Sequence, residues 1–73
     1  MGRRNSGQTK RLLGQNIRRM RQLKSWSQHD LANEAGIRQA LISSMEGGSA
    51  NPTLESLEKV AAALDVAMAD LFV

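Results

Sequence analysis

Residues 27–48, SQHDLANEAGIRQALISSMEGG, decide the fold of this 73-residue chain. Apolar side chains recur in this stretch in two groups: Leu31, Ala32 and Ala35, then Ile42 and Met45. Because their spacing matches one face of a helix, each group predicts a short amphipathic helix. Gly36 separates the groups, and glycine often ends a helix in the left-handed conformation. The stretch therefore predicts two short helices joined by a tight turn.

Capping residues support this interpretation. Ser27, followed three residues later by Asp30, resembles a capping box in which Asp replaces the usual Glu. We expect the downstream helix to begin at Arg38 or Gln39 and to end at Glu46, just before two glycines.

The segments on either side predict three further helices. Residues 1–8 are rich in Gly, Ser and Arg and are interpreted as a flexible basic arm. Thr9 is predicted to cap the first helix, whose core face carries Leu13, Ile17 and Met20.

Downstream, Thr53 is predicted to cap a fourth helix, and a short turn over residues 68–72 closes the chain. No alternating strand pattern is visible. The sequence therefore predicts one all-α domain over residues 9–73, a compact bundle of five short helices that contains a helix-turn-helix.

Charge is distributed unevenly along the chain. Residues 1–29 contain eight basic and no acidic side chains, a net charge of +8. Residues 30–73 contain two basic and seven acidic side chains, a net charge of −5. This asymmetry favours a surface for a polyanion such as nucleic acid, with a solvated helix face as the alternative.

Composition excludes several kinds of site. The chain has no cysteine, and its one histidine, His29, cannot hold a metal alone, so we expect no metal and no cofactor. No apolar run reaches the ~18 residues of a membrane span, and no signal-peptide core is present, so we expect a cytoplasmic protein without membrane contact. No nucleophile–base pair is recognisable, so we expect no enzymatic activity.

A helix-turn-helix suits duplex DNA. Its first helix lies across the backbone, where N-terminal N–H groups hold a phosphate, and its second helix fits the major groove. In this chain the second helix presents a face of small and amide side chains, Gln39, Ala40, Ser43 and Ser44. The Gln39 amide can bond bidentately to adenine.

The ordered series LGQNIRRMR, SQHDLANEAG, ALISSMEGG, NPTLESLEKVAAALDV and LF resembles the Cro/repressor-type (XRE) helix-turn-helix regulators over residues 13–72. The resemblance implies a lambda-repressor-like DNA-binding domain that regulates transcription. It also implies that Gln39, Ala40 and Ser44 contact bases, with Ser43 as a further candidate for base or backbone.

The same resemblance implies four contacts to the DNA backbone. Ser27 and Gln28 match contacting positions at the start of the upstream helix, and Ser49 and Asn51 match contacting positions after the downstream helix. Gln28 also becomes a candidate brace for Gln39.

Arginines account for the remaining DNA candidates. Arg38 departs from the pattern, because a Ser or Thr usually caps the downstream helix, and it becomes a candidate contact to a base or a phosphate. Arg18 and Arg19 are predicted phosphate contacts from the basic half of the chain.

By resemblance, Arg21 and Glu46 match an ion pair that joins the first and third helices. A second departure is Ser25, which stands where a Gly usually ends the first helix.

The C-terminal end is more apolar than the end of a monomer requires. We predict that Val66, Met68, Phe72 and Val73 form a two-fold dimer interface, while Leu71 seals the core. Two protomers that read half-sites about one turn (~34 Å) apart discriminate better than one. The alternative is that these residues cover their own core.

The sequence thus predicts a homodimer on a near-palindromic operator in double-stranded DNA. The resemblance implies a bacterial protein, which we expect in the cytoplasm and associated with the nucleoid. A restriction–modification controller and a small phage- or plasmid-type repressor both fit this size. RNA polymerase or another protein is a further candidate partner. The alternative function is that of an antitoxin, whose main task is to bind a partner protein while DNA autoregulation is secondary.

Overall fold

The described chain consists of four α-helices and one 3-10 helix. The computed structural model describes residues 6–73. Four α-helices follow one another, α1 (Ser6–Leu23), α2 (Gln28–Ala35), α3 (Gln39–Glu46) and α4 (Leu54–Leu64), and a 3-10 helix (Met68–Phe72) closes the chain. No strand occurs among residues 6–73, so the all-α prediction is confirmed over the described part of the chain.

The predicted count of five α-helices is wrong, because the last element is a single 3-10 segment. Asp65 ends α4 in the left-handed conformation, and the five residues Met68–Phe72 leave little room for an α-helix. Ala67 has no side chain that can cap this segment, but its backbone N–H donates to the Asp70 carboxylate at 3.0 Å.

The first helix starts earlier than predicted. Thr9 lies inside α1, which begins at Ser6, so the assignment of residues 6–8 to a flexible arm is also wrong. Adding a residue to an existing helix costs little compared with nucleation, and no proline interrupts this segment. Residues 1–5 of the predicted arm lie outside the described residues.

The turn between α1 and α2 contains one unfavourable residue and one complete cap. Ser25 has φ of 61°, a left-handed conformation that costs a residue with a Cβ about 1–2 kcal/mol. Two residues later the predicted capping box is confirmed: the Asp30 N–H donates to Ser27 Oγ at 3.0 Å, and the Ser27 N–H donates to the Asp30 carboxylate at 2.9 Å. Gly36 ends α2 at φ 71°, as predicted.

The core lies where α1 packs on α3 and the 3-10 helix, and where α2 packs on α3 and α4. Its buried apolar residues come from all five elements and one loop: Leu13, Ile17, Leu31, Ala32, Ala35, Ile42, Met45, Ala50, Leu57, Val60, Ala61, Leu64 and Leu71. Met20 packs against this cluster from the side. Because α3 packs on both α1 and α2, only one of its faces remains open to solvent.

Gly14 explains how close α1 and α3 can approach. A Cβ at this position would lie 2.7 Å from the Glu46 carbonyl oxygen, and it would also clash with the Met45 carbonyl. Glycine in the middle of a helix costs about 1 kcal/mol against Ala. The close contact at the end of α3 accounts for its presence.

Candidate nucleic-acid interface

The open face of α3 carries the predicted base-contacting residues. Gln39, Ala40 and Ser43 are exposed, and Ser44 is half-buried at their edge. Ile42 and Met45, on the opposite face, are fully buried and fix the rotation of the helix. The exposed strip therefore offers amide and hydroxyl groups without a carboxylate, a composition that suits contact with base edges.

Arg38 lies at the N-terminus of this strip. It is the N-cap of α3, and its carbonyl accepts from the backbone N–H groups of Leu41 and Ile42 at 3.1 and 3.3 Å. Its side chain is exposed and makes no capping hydrogen bond. The guanidinium is thus open to solvent beside the exposed strip of α3.

The N-terminus of α2 lies beside α3 through a buried contact. The Gln28 amide nitrogen donates to Glu46 Oε1 at 3.1 Å, so this nitrogen is engaged by Glu46. Ser27 is exposed, and its hydroxyl accepts the Asp30 N–H.

Glu46 is the centre of the network that holds the two helices in place. Its side chain has no solvent exposure, and Arg21, only 12% exposed, binds it in a bidentate manner with N–O distances of 2.6 and 2.9 Å. A third Arg21 nitrogen donates to the Trp26 carbonyl at 2.7 Å. The pair therefore joins α1, the turn after it and α3.

The ionisation of Glu46 depends on these partners. Burial alone raises the pKa of its carboxyl, but hydrogen bonds from Arg21 and Gln28 and the charge of Arg21 outweigh burial, so the pKa lies below its ordinary value. The hydrogen bond to Glu46 likewise raises the pKa of Arg21. Both groups are therefore charged at neutral pH.

The two predicted phosphate-contacting arginines of α1 lie on different sides of the helix. Arg18 Nε is 3.4 Å from Glu46 Oε1, and the Arg18 side chain is 57% exposed beside α3. Arg19 instead donates to Asn16 Oδ1 at 3.0 Å, and the Asn16 amide nitrogen binds the Leu71 carbonyl at 2.9 Å. The structure thus brings Arg18 to the helix-turn-helix and Arg19 towards the 3-10 helix.

The loop after α3 continues the exposed surface. Ser49 and Asn51 are both exposed. The Ser49 backbone N–H donates to the Ser44 carbonyl at 3.0 Å, which holds the loop against the end of α3. Arg11, which is not among the predicted DNA contacts, lies next to this loop beside Gly48.

The predicted dimer residues lie together at the C-terminal end. Val66, Met68 and Phe72 are half-buried and pack against the core, and Val73 is 80% exposed. Phe72 also lines an open groove of about 440 Å³ whose other walls include Leu13 and Leu57. The C-terminal end of the chain is thus partly packed against the core and partly exposed to solvent.

Within residues 6–73, no cluster of three or more His, Asp or Glu side chains has a geometry that could hold a metal ion. None of the described helices combines the length and apolarity that crossing a bilayer requires.

Comparison with known families agrees with this architecture. A family model described as Helix-turn-helix matches residues 17–71. The chain therefore belongs to this helix-turn-helix family.

Individual relatives are regulators of transcription and control proteins. The HTH-type transcriptional regulator SinR of Bacillus subtilis is 40% identical over 58 residues, which cover 78% of this chain and 52% of SinR. The control protein C.BamHI of Bacillus amyloliquefaciens is 41% identical over 61 residues, which cover 82% of this chain and 75% of C.BamHI. The chain thus spans about half the length of SinR.

Solved structures share the fold. The restriction–modification controller protein C.AhdI from Aeromonas hydrophila superposes with a TM-score of 0.83 at 33% identity, over 86% of this chain and 96% of that chain. SinR in complex with DNA superposes with a TM-score of 0.77 at 40% identity, over 81% of this chain and 95% of that chain.

Proposed function

We propose that this protein is a sequence-specific, DNA-binding regulator of transcription that places α3 in the major groove. The observation that carries the proposal is the exposed strip of α3, which is free of carboxylates and held rigidly by the buried Arg21–Glu46 pair. Sequence specificity requires such a rigid support, because a side chain must meet base edges with hydrogen-bond geometry.

Specificity and affinity come from different residues in this proposal. Gln39, Ala40 and Ser44 read bases, and Ser43 and Arg38 contact bases or the nearby backbone. Contacts to phosphate from Ser27, Gln28, Ser49, Asn51, Arg18 and Arg19 position the protein without reading sequence. Gln28 contributes mainly by holding α2 on Glu46, and Arg19 is the weakest of these candidates because it is bonded to Asn16 on the side of the 3-10 helix.

The protein acts on DNA as a homodimer through its C-terminal end. Val66, Met68, Phe72 and Val73 supply the apolar surface, and the open groove beside Phe72 extends it. A two-fold dimer reads two half-sites about one turn apart, which makes the operator near-palindromic. Such a regulator acts in the bacterial cytoplasm, where it associates with the nucleoid, and its function is binding and not catalysis.

A restriction–modification controller is the most specific role that the comparisons favour. C.AhdI is matched over almost its entire length, and C.BamHI over three quarters, whereas SinR is matched over about half. A small phage- or plasmid-type repressor would use the same interface.

In-vitro selection tests the function directly. The full chain is incubated with a library of random duplexes at near-physiological salt, and bound molecules are sequenced over several rounds. We expect enrichment of an inverted repeat with half-sites about one turn (~34 Å) apart. Binding that fades smoothly with salt while no motif is enriched would contradict the proposal, since it would reflect charge alone.

Sedimentation tests the dimer separately. We expect Phe72→Glu to shift the protein towards monomer, because it places a charge in the apolar interface. Leu23→Glu is the matched control, since Leu23 is 77% exposed at the far end of α1. An unchanged mass of Phe72→Glu, with the wild-type chain dimeric, would move the interface elsewhere.

A further inference from the structure

One face of α1 forms a polar strip that runs along the helix-turn-helix. Residues spaced by seven, four and three positions fall on the same side of a helix, and all members of this strip are exposed: Arg11, Gln15, Arg18 and Gln22. Arg11 and Arg18 lie two turns, about 10 Å, apart along the helix axis. Over its described residues α1 contains no acidic side chain.

Contacts fix where this strip lies. Arg18 approaches Glu46, the last residue of α3. Two turns earlier, the Arg11 backbone and Cγ lie 3.4–3.7 Å from the place that a Cβ at Gly48 would occupy. Gly48 also has a φ of 77°, a left-handed conformation that favours glycine. Both the nearby Arg11 atoms and the backbone conformation therefore favour glycine at this position. The strip therefore borders the C-terminal end of α3 and the loop that leads to Ser49.

Neither α1 nor α3 exposes a carboxylate side chain among residues 6–73. Glu46 is the only carboxylate on α1 or α3 among residues 6–73, and it is buried and paired. The remaining acidic side chains of the described chain lie on α2, α4, the residue that ends α4 and the 3-10 helix. Arg11 forms no ion pair with any carboxylate in the described part of the chain. Its guanidinium therefore has no carboxylate partner beside the proposed interface.

We propose that Arg11 is a further DNA-backbone contact, which binds a phosphate beside the loop after α3. This inference rests on the proposed function. It adds a DNA contact that the sequence alone does not distinguish among the basic residues of the N-terminal half. The position of Arg11 on α1 beside Gly48 places its guanidinium within reach of a phosphate at the edge of the interface. The contact adds affinity for every sequence and reads no base.

Salt dependence of DNA binding tests this assignment. The probes are a labelled duplex that carries the selected motif and the same duplex with both half-sites scrambled. Binding of the wild-type chain and of Arg11→Gln is measured from about 50 to 300 mM KCl. We expect Arg11→Gln to weaken binding to both duplexes by the same factor and to reduce the slope of log K against log salt by about 0.9 per protomer.

Control variants separate the charge from other effects. Arg11→Lys retains the charge and is expected to keep the slope. Lys59→Gln removes an exposed charge from α4 and is also expected to keep the slope, because Lys59 lies outside the helix-turn-helix and its ammonium is 3.8 Å from the Glu55 carboxylate. Circular dichroism verifies folding, and Arg11→Ala provides a second neutral variant should Arg11→Gln be unfolded.

A direct contact also has a defined position on the DNA. Neutral methylphosphonates replace the phosphates of the selected duplex one at a time. We expect one position in each half-site at which the substitution weakens the wild-type chain but not Arg11→Gln. An unchanged salt slope, or no such position, overturns the assignment while the wild-type chain still selects its motif. A wild-type chain that binds neither duplex overturns the proposed function as well.

Discussion

Replacing Arg21 by Met leaves a buried carboxylate without its main partner. Glu46 is completely covered, and Arg21 provides two of its hydrogen bonds at 2.6 and 2.9 Å. Stranding a buried charge in this way costs about 3–5 kcal/mol. Gln28 at 3.1 Å and the mostly exposed Arg18 at 3.4 Å remain, so we expect a loss near 3 kcal/mol.

That loss is large for a chain of this size. At 0.05–0.15 kcal/mol per residue, 73 residues give a total stability of about 4–11 kcal/mol. Urea unfolding at pH 7 measures the change, with the fluorescence of Trp26, the only tryptophan, as the signal. We expect Arg21→Met to lower the midpoint strongly, while the double variant Arg21→Met/Glu46→Leu recovers most of the loss because it removes the stranded charge.

We expect the stability of the wild-type chain and that of Arg21→Met to change in opposite directions as the pH falls. In the wild-type chain the pKa of Glu46 is below its ordinary value of 4.5, so its contribution is present above pH 4.5 and is lost as the pH falls through the lower folded pKa. In Arg21→Met, burial acts with less opposition and raises the pKa, so this variant gains stability as the pH falls towards 4.5. A single variant that loses under 0.5 kcal/mol, or a double variant no more stable than the single one, would refute the reasoning.

Three other variants address the backbone and the base contact. We expect Gly14→Ala to cost about 1–3 kcal/mol in urea unfolding, because its Cβ would meet the backbone at Glu46; wild-type stability would show that α1 and α3 separate freely. Ser25→Gly should gain about 0.5–1 kcal/mol by relieving the left-handed strain at φ 61°, and a lower melting temperature would contradict this. Gln39→Ala should cost about 1–3 kcal/mol of binding at one or two base pairs, and an unchanged preference across a set of single-pair operator variants would remove Gln39 from base reading.

The central part of the fold could be predicted because local chemistry determines it. The capping box at Ser27, the left-handed Gly36 and the cap at Thr53 are local signals, and the structure has all three. The buried face of each helix could be predicted equally well, since the spacing of apolar residues directly determines which side of a helix is buried. Leu54 is an exception: it shares the apolar spacing of α4, but it lies in the first turn and is 67% exposed.

Errors occurred where local signals compete or are absent. Thr9 is a good capping residue, but helix propagation carried α1 past it to Ser6. The last element is held by the fully buried Leu71 and by the bond from Asn16 to its carbonyl, a contact between residues 55 positions apart. Sequence spacing contains no information on such a contact.

In the candidate interface, too, some features could be predicted from the sequence and others could not. Exposure of Gln39 follows from the helical period. The different surroundings of Arg18 and Arg19 do not, because adjacent residues point about 100° apart and only the packing partners of α1 distinguish the two sides. Arg11 was missed for a related reason, since its proximity to Gly48 exists only in the folded chain.

Hydroxyl-radical footprinting of the wild-type chain on its selected duplex tests the central claim most directly, because it shows where protein lies on the DNA. Two copies of α3 in successive major grooves should protect two tracts on one face of the duplex, about one turn (~34 Å) apart and related by two-fold symmetry. Uniform weak protection along the duplex, or a single tract without a symmetry mate, would contradict a dimeric, sequence-reading interface built on α3.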